Sequence, residues 1–162
     1  MGNEGNLSSS RWNTADHNRS IYTATQAISQ RPSSWNSIQV RSFESESDYH
    51  DVADDTLETL MDEVEAALEA CQSTAIDLEE SEITLASGVL TIAISPHGTW
   101  VLNKQTPNRQ IWWSSPLSGP KRYEYDEKDG VWFSTKDGLS LLPLLSQELS
   151  HITGKAIDLK LE

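Results

Sequence analysis

Two adjacent tryptophans, Trp112 and Trp113, stand in a stretch whose punctuation leaves the backbone few options. Thr106-Pro107-Asn108 reads as a turn, residues 109–114 as a strand, 115–120 as a loop and 121–125 as the next strand. Side chains alternate along a strand, so Gln110 and Trp112 share one face and Ile111 and Trp113 the other. One arrangement buries both tryptophans in a sheet covered on both sides. The other buries Ile111 and Trp113 and leaves Trp112 in water, with Asn103, Gln105, Asn108, Arg109 and Arg122 as neighbours. An exposed Trp beside Arg and amides has the composition of a binding hot spot. That composition favours an interaction platform.

Upstream, the period changes from two to three and four. Tyr49, Ala53, Leu57, Leu60, Met61, Val64 and Leu68 form one apolar stripe of a helix over residues 48–70, uninterrupted by Gly or Pro. The acids are as regular: Asp51, Asp54, Asp55, Glu58, Asp62, Glu65 and Glu69 fall within an arc of about 100°. The earliest gain from the helix dipole, but like charges one turn apart each cost a few tenths of a kcal/mol. No Lys or Arg occurs between Glu44 and Asn103, so the ridge reads as unpaired. It is either a plain solvated face or a shallow, weak site for a hard cation such as iron, manganese or calcium. His50, beside Asp51 and Asp54, offers one nitrogen ligand or is an ordinary surface histidine at a helix entrance. Residues 75–82 continue the acidic surface, and their alternation predicts a first strand with Ile76 and Leu78 inward.

The remaining segments read as consecutive strands. Residues 83–85 and 88–95 are strand material, with Leu90, Ile92 and Ile94 on one side; Pro96-His97-Gly98 is a turn, and 99–103 returns around Trp100 and Leu102. After the two strands around Trp112, a loop at 126–130 with Gly130 at positive φ leads into a strand at 131–134. Ser140 is placed as the N-cap of a second helix to about His151, with Pro143 in its first turn and Leu141, Leu144, Leu145 and Leu149 buried. Helix, strands, helix predicts an α+β two-layer sandwich: both helices on one face of a mostly antiparallel sheet of five to seven strands, the other face open. Residues 154–162, with Ile157, Leu159 and Leu161 alternating, are expected to lie over the seam between the helices.

Charge divides the chain. Residues 1–43 hold four arginines against two acids, a net of +2, so the total of −13 leaves −15 on residues 44–162. Such a domain repels nucleic acid and anionic membranes and attracts cations and basic proteins. The Ser- and Arg-rich, acid-poor residues 1–43 have the marks of a mitochondrial transit peptide, and Arg41-Ser42-Phe43 resembles a matrix-protease site; a disordered tail has a similar composition. Cys71 is the single cysteine, which excludes an internal disulfide and fits a reducing compartment. No Gly-rich phosphate loop is present and the four histidines are scattered, so neither nucleophilic nor acid–base catalysis is indicated.

Asn-Lys-Gln-Thr-Pro-Asn-Arg-Gln-Ile-Trp at 103–112 and Ser-Pro-Leu-Ser-Gly-Pro-Lys-Arg-Tyr at 115–123 resemble the signature of the frataxin family, over roughly residues 48–153. Trp113 stands where that family commonly has a smaller aliphatic residue, and Trp132 where it keeps a buried Trp. The resemblance implies the sandwich above, a location in the mitochondrial matrix, and weak surface binding of ferrous or ferric iron. The implied metal positions are Asp51, Asp54, Asp55, Glu58, Asp62 and Glu65, with His50 as an adjunct. Implied partners are the cysteine desulfurase and scaffold protein of iron–sulfur assembly, with Asn103, Gln105, Asn108, Arg109, Gln110, Trp112 and Arg122 as the contact residues, and also ferrochelatase. The function expected is promotion of cluster assembly by supplying or gating iron, by a monomer that assembles further on iron loading. The alternative is ferroxidase and iron storage on the acidic surface.

Overall fold

Ser45 starts the first helix. Its Oγ accepts the Asp48 N–H at 3.0 Å while the Asp48 carboxylate accepts the Ser45 N–H at 3.2 Å, a reciprocal cap. The computed structural model describes residues 43–161. The residues expected to form a leader lie outside them, apart from Phe43. Helix α1, Glu46–Cys71, ends at Gln72 in a left-handed conformation. It buries Tyr49, Ala53, Leu57, Leu60, Val64 and Leu68, with Met61 at the margin. Thr56 is buried too; its hydroxyl accepts the Trp132 indole N–H at 3.0 Å and donates to the Val52 carbonyl at 2.7 Å.

Six strands follow as an antiparallel meander in chain order: β1 Asp77–Ala86, β2 Val89–Ser95, β3 Gly98–Gln105, β4 Gln110–Ser115, β5 Gly119–Asp126 and β6 Val131–Ser134. Both helices cover one face. In β2 and β3 the even-numbered residues Leu90, Ile92, Ile94, Trp100 and Leu102 are buried there, and in β4 and β5 Ile111, Trp113 and Tyr123. One expectation fails in β1. Ile76 is buried, but Leu78 is 46% exposed. The register shifts between Asp77 and Glu82, so simple alternation does not hold at this edge strand.

Helix α2, Leu141–Thr153, follows Ser140, which has extended N-cap geometry without a side-chain capping bond. It carries a buried carboxylate. Glu148 Oε2 accepts the Trp100 indole N–H at 2.6 Å and the Ser115 hydroxyl. Ser115 Oγ in turn accepts the N–H groups of Leu117 (2.9 Å) and Ser118 (3.1 Å), so α2 holds the β4–β5 turn in shape. The C-terminal segment joins the two helices. Ile157 and Leu159 are buried, and their N–H groups reach Ser150 and Ser146 of α2, while the Lys160 N–H reaches Glu63 of α1 at 3.3 Å.

Phe43 belongs to this core. It is 3% exposed and packs on Tyr49, Tyr125 and Trp132. The folded unit therefore begins before residue 44, the boundary expected from charge.

Candidate functional site

On the face turned away from α1 and α2, register brings residues from three strands into line. Trp112 of β4 lies opposite Asn103 of β3 and Arg122 of β5. The Arg122 guanidinium sits 4.7 Å from the centre of the Trp112 ring, within cation–π range. The Trp112 indole N–H donates to the Gln110 side chain at 3.1 Å, and the Gln110 amide donates to Glu124 at 2.9 Å. Gln105 pairs with Gln110 in the neighbouring row. The result is a polar surface in which one large aromatic ring is oriented by its own indole bond and a stacked cation. Trp112 is half-buried by these neighbours rather than standing freely in water. Trp113 points the other way, 2% exposed, its ring 6.1 Å from that of Tyr123 and its N–H on Ser118.

Of the residues expected on this platform, Asn103, Gln105, Gln110, Trp112 and Arg122 are brought together. Asn108 lies exposed on the short helical turn Thr106–Asn108. Arg109 is a correction. It adopts a left-handed conformation, φ 50°, and its guanidinium donates to the Phe43 carbonyl. Its charge therefore anchors the chain entering α1 and does not join the row around Trp112. Glu124 was missed. It lies two residues beyond Arg122, so strand alternation alone gives it the same face.

The acidic ridge lies on α1. Asp51, Asp55, Glu58, Asp62 and Glu65 are all exposed, and Asp77, Glu79, Glu80 and Glu82 extend the acidic surface onto β1. Here too the expected absence of pairing is corrected. Asp54 makes an ion pair with Lys104 of β3, a residue fifty positions away that reaches the helix side of the sheet. His50 turns back toward Glu46, 3.5 Å away one helical turn earlier. Among the described residues no group of three or more His, Cys, Asp or Glu stands close enough to hold an ion together. Carboxylates spaced by three and four on a solvated helix project outward and repel one another, which keeps them apart.

Ridge and platform share a root. The Tyr49 hydroxyl, on the buried side of α1, donates to the Gln110 carbonyl of β4 at 2.8 Å. Burial pushes its pKa up to about 12, so the proton of that bond is retained through the neutral range. Tyr49 and Arg109 thus tie the start of the acidic helix to the strand that presents Trp112.

The model of the frataxin-like domain matches residues 42–155. Mitochondrial frataxin of Dictyostelium discoideum is 44% identical over 104 residues, covering 64% of this chain and 51% of that protein. The mitochondrial frataxin homologue of Schizosaccharomyces pombe is 45% identical over 113 residues, covering 70% of this chain and 68% of its own length. The chain thus spans about half the length of the first of these relatives and about two thirds of the second. Among solved structures, trimeric Saccharomyces cerevisiae frataxin complexed with ferrous iron is 34% identical, with a TM-score of 0.55 over 77% of this chain and 100% of the other.

Proposed function

The chain belongs to the frataxin family, and on that premise we propose that it binds iron weakly and promotes mitochondrial iron–sulfur cluster assembly by docking its open sheet face on a cysteine desulfurase–scaffold complex. The observation that carries this reading is the row Asn103–Trp112–Arg122, an oriented aromatic flanked by a stacked cation and amides on the sheet face turned away from α1 and α2. Such a residue supplies large contact area at little ordering cost, because its orientation is set before the partner arrives.

Iron enters as cargo. Exposed carboxylates of α1 suit a hard cation, but no three of them converge, so the ridge would hold it weakly and exchangeably. Asp51, Asp55, Glu58, Asp62 and Glu65 are the free ligands; Asp54 has to leave Lys104 before it contributes. A matrix location and assembly on iron loading belong to the same proposal, supported by the mitochondrial names of the relatives and by the ferrous-bound trimer of the yeast protein. So does contact with ferrochelatase.

The test is sulfide or cluster production by a reconstituted desulfurase–scaffold complex with and without this chain, and with Trp112→Ala as control. Acceleration that disappears in the variant supports a regulatory binding protein whose chemistry resides in its partners. No acceleration, with iron still bound and oxidised at the ridge, overturns the proposal in favour of ferroxidation and storage.

A further inference from the structure

Gln110 stands between two groups that each take only one side of a hydrogen bond. The Trp112 indole N–H donates, and the Glu124 carboxylate accepts. A glutamine amide has an acceptor at one end and donors at the other, so it meets both neighbours in a single orientation. In that orientation the Gln110 nitrogen donates to Glu124 Oε1 at 2.9 Å and the Gln110 oxygen accepts the Trp112 N–H at 3.1 Å. Turned over, the amide would set N–H against N–H on one side and oxygen against oxygen on the other. The backbone beneath is held too: the Gln110 carbonyl accepts the Tyr49 hydroxyl, and the residue pairs with Gln105 of β3.

Arg122 and Gln110 constrain the indole in different ways. The guanidinium lies over the ring, and stacking of that kind is satisfied by either face. The torsion joining an indole to its Cβ has a roughly twofold preference, so a half-turn would keep the cation contact and send the N–H to the other side. The bond to Gln110 chooses between the two. Glu124 in turn chooses the orientation of Gln110. It lies two residues beyond Arg122 on the same face of β5, half-buried and opposite Phe133 of β6.

We propose that Glu124 is a positioning residue for Trp112: acting through the Gln110 amide, it selects which edge of the indole the docking face presents. The consequence for binding rests on the docking role given to Trp112 above; the effect on the ring does not. Loss of one such bond is worth about fivefold in the population of the selected orientation.

The test reads the indole N–H resonances of the isotope-labelled full chain, Trp112 being the signal that disappears in Trp112→Ala. Glu124→Gln and Glu124→Met are matched in length and charge and differ in the acceptor they offer. In Glu124→Met the Trp112 signal should move toward that of a free indole and exchange with water about fivefold faster, whereas Glu124→Gln should retain the wild-type signal. Trp100 and Trp132, whose N–H groups go to Glu148 and Thr56 on the helix side, should stay in place in both and report an intact fold. Association with the desulfurase–scaffold complex should weaken about fivefold in Glu124→Met and be unchanged in Glu124→Gln. An unmoved Trp112 signal in Glu124→Met, or the same displacement in both variants, overturns the proposal. So does a displaced signal with unchanged association while Trp112→Ala still weakens it, because the partner then does not read the selected edge. Should Trp112→Ala itself leave association intact, the docking reading fails instead, and the resonances still decide what Glu124 does to the ring.

Discussion

Replacing each of the two adjacent tryptophans by alanine should give opposite results, because they stand on opposite faces of one strand. Trp113 is 2% exposed, packs edge-on against Tyr123 and donates to Ser118. Truncating a buried aromatic of this size costs about 3–5 kcal/mol through lost transfer energy and the cavity left behind. With roughly 4 °C of Tm per kcal/mol for a domain of this size, Trp113→Ala should melt about 12–20 °C lower. Trp112 is half-buried by Arg122 and Gln110. Its loss removes one cation–π contact and one cross-strand pair, together about 1 kcal/mol, or roughly 4 °C. Binding should invert the order. An aromatic at the centre of a docking face carries about 2 kcal/mol or more, so Trp112→Ala should weaken association with the desulfurase–scaffold complex by at least about 30-fold. The assay is thermal unfolding beside titration of that complex, both variants in parallel. If Trp112→Ala loses cooperative unfolding or falls as far in Tm as Trp113→Ala, the opposite-face reasoning is wrong. If it folds and binds as the wild type does, the platform lies elsewhere.

Three further outcomes follow from the same geometry. Asp55, Glu58 and Asp62 changed together to amides should weaken ferrous iron binding severalfold in a direct titration and raise Tm slightly, since relieved one-turn repulsions return a few tenths of a kcal/mol each; an unchanged titration would move the iron site off the ridge. Ending the chain at Ala156 removes the buried Ile157 and Leu159, and at about 1.5–3 kcal/mol per side chain this should lower stability by roughly 3–6 kcal/mol, read by denaturant unfolding; a midpoint within error of the full chain would show that the segment is not docked. Burial by itself would raise the Asp137 carboxyl, but hydrogen bonds from Lys121, Ser134 and the Leu139 N–H, with the Lys121 charge, hold it below the ordinary carboxylate value. A depressed folded pKa contributes stability that is present above the unfolded pKa and lost as pH falls through the folded one, so Lys121→Met should lose less stability than the wild type on acidification below about pH 4; parallel pH profiles would exclude the pair as a contributor.

What was legible in the chain was whatever repeats locally. The 3.6-residue stripe from Tyr49 to Leu68 marks the buried side of α1, and the alternation through Gln110–Trp113 places the two tryptophans on opposite faces. Side-chain partners distant in sequence were not legible. Asp54 read as a free ligand because nothing nearby opposes it, and its cation arrives from Lys104 on β3. Glu148 gave no sign that it would be buried against Trp100 and Ser115, and at β1 the irregular register exposed Leu78 where alternation pointed inward. Arg109 is the instructive case. In the sequence it sits among the amides and Trp of the platform, and a loss of partner binding in Arg109→Ala would be read as a lost contact. Its guanidinium instead holds Phe43, whose ring packs with Tyr49, and the Tyr49 hydroxyl holds the Gln110 carbonyl behind Trp112. Removing Arg109 therefore loosens the backbone under the platform without touching its surface. The two explanations separate on stability: an arginine that touches only the partner changes affinity at constant Tm, whereas this anchor should change both, with the fall in Tm observable in the absence of any partner.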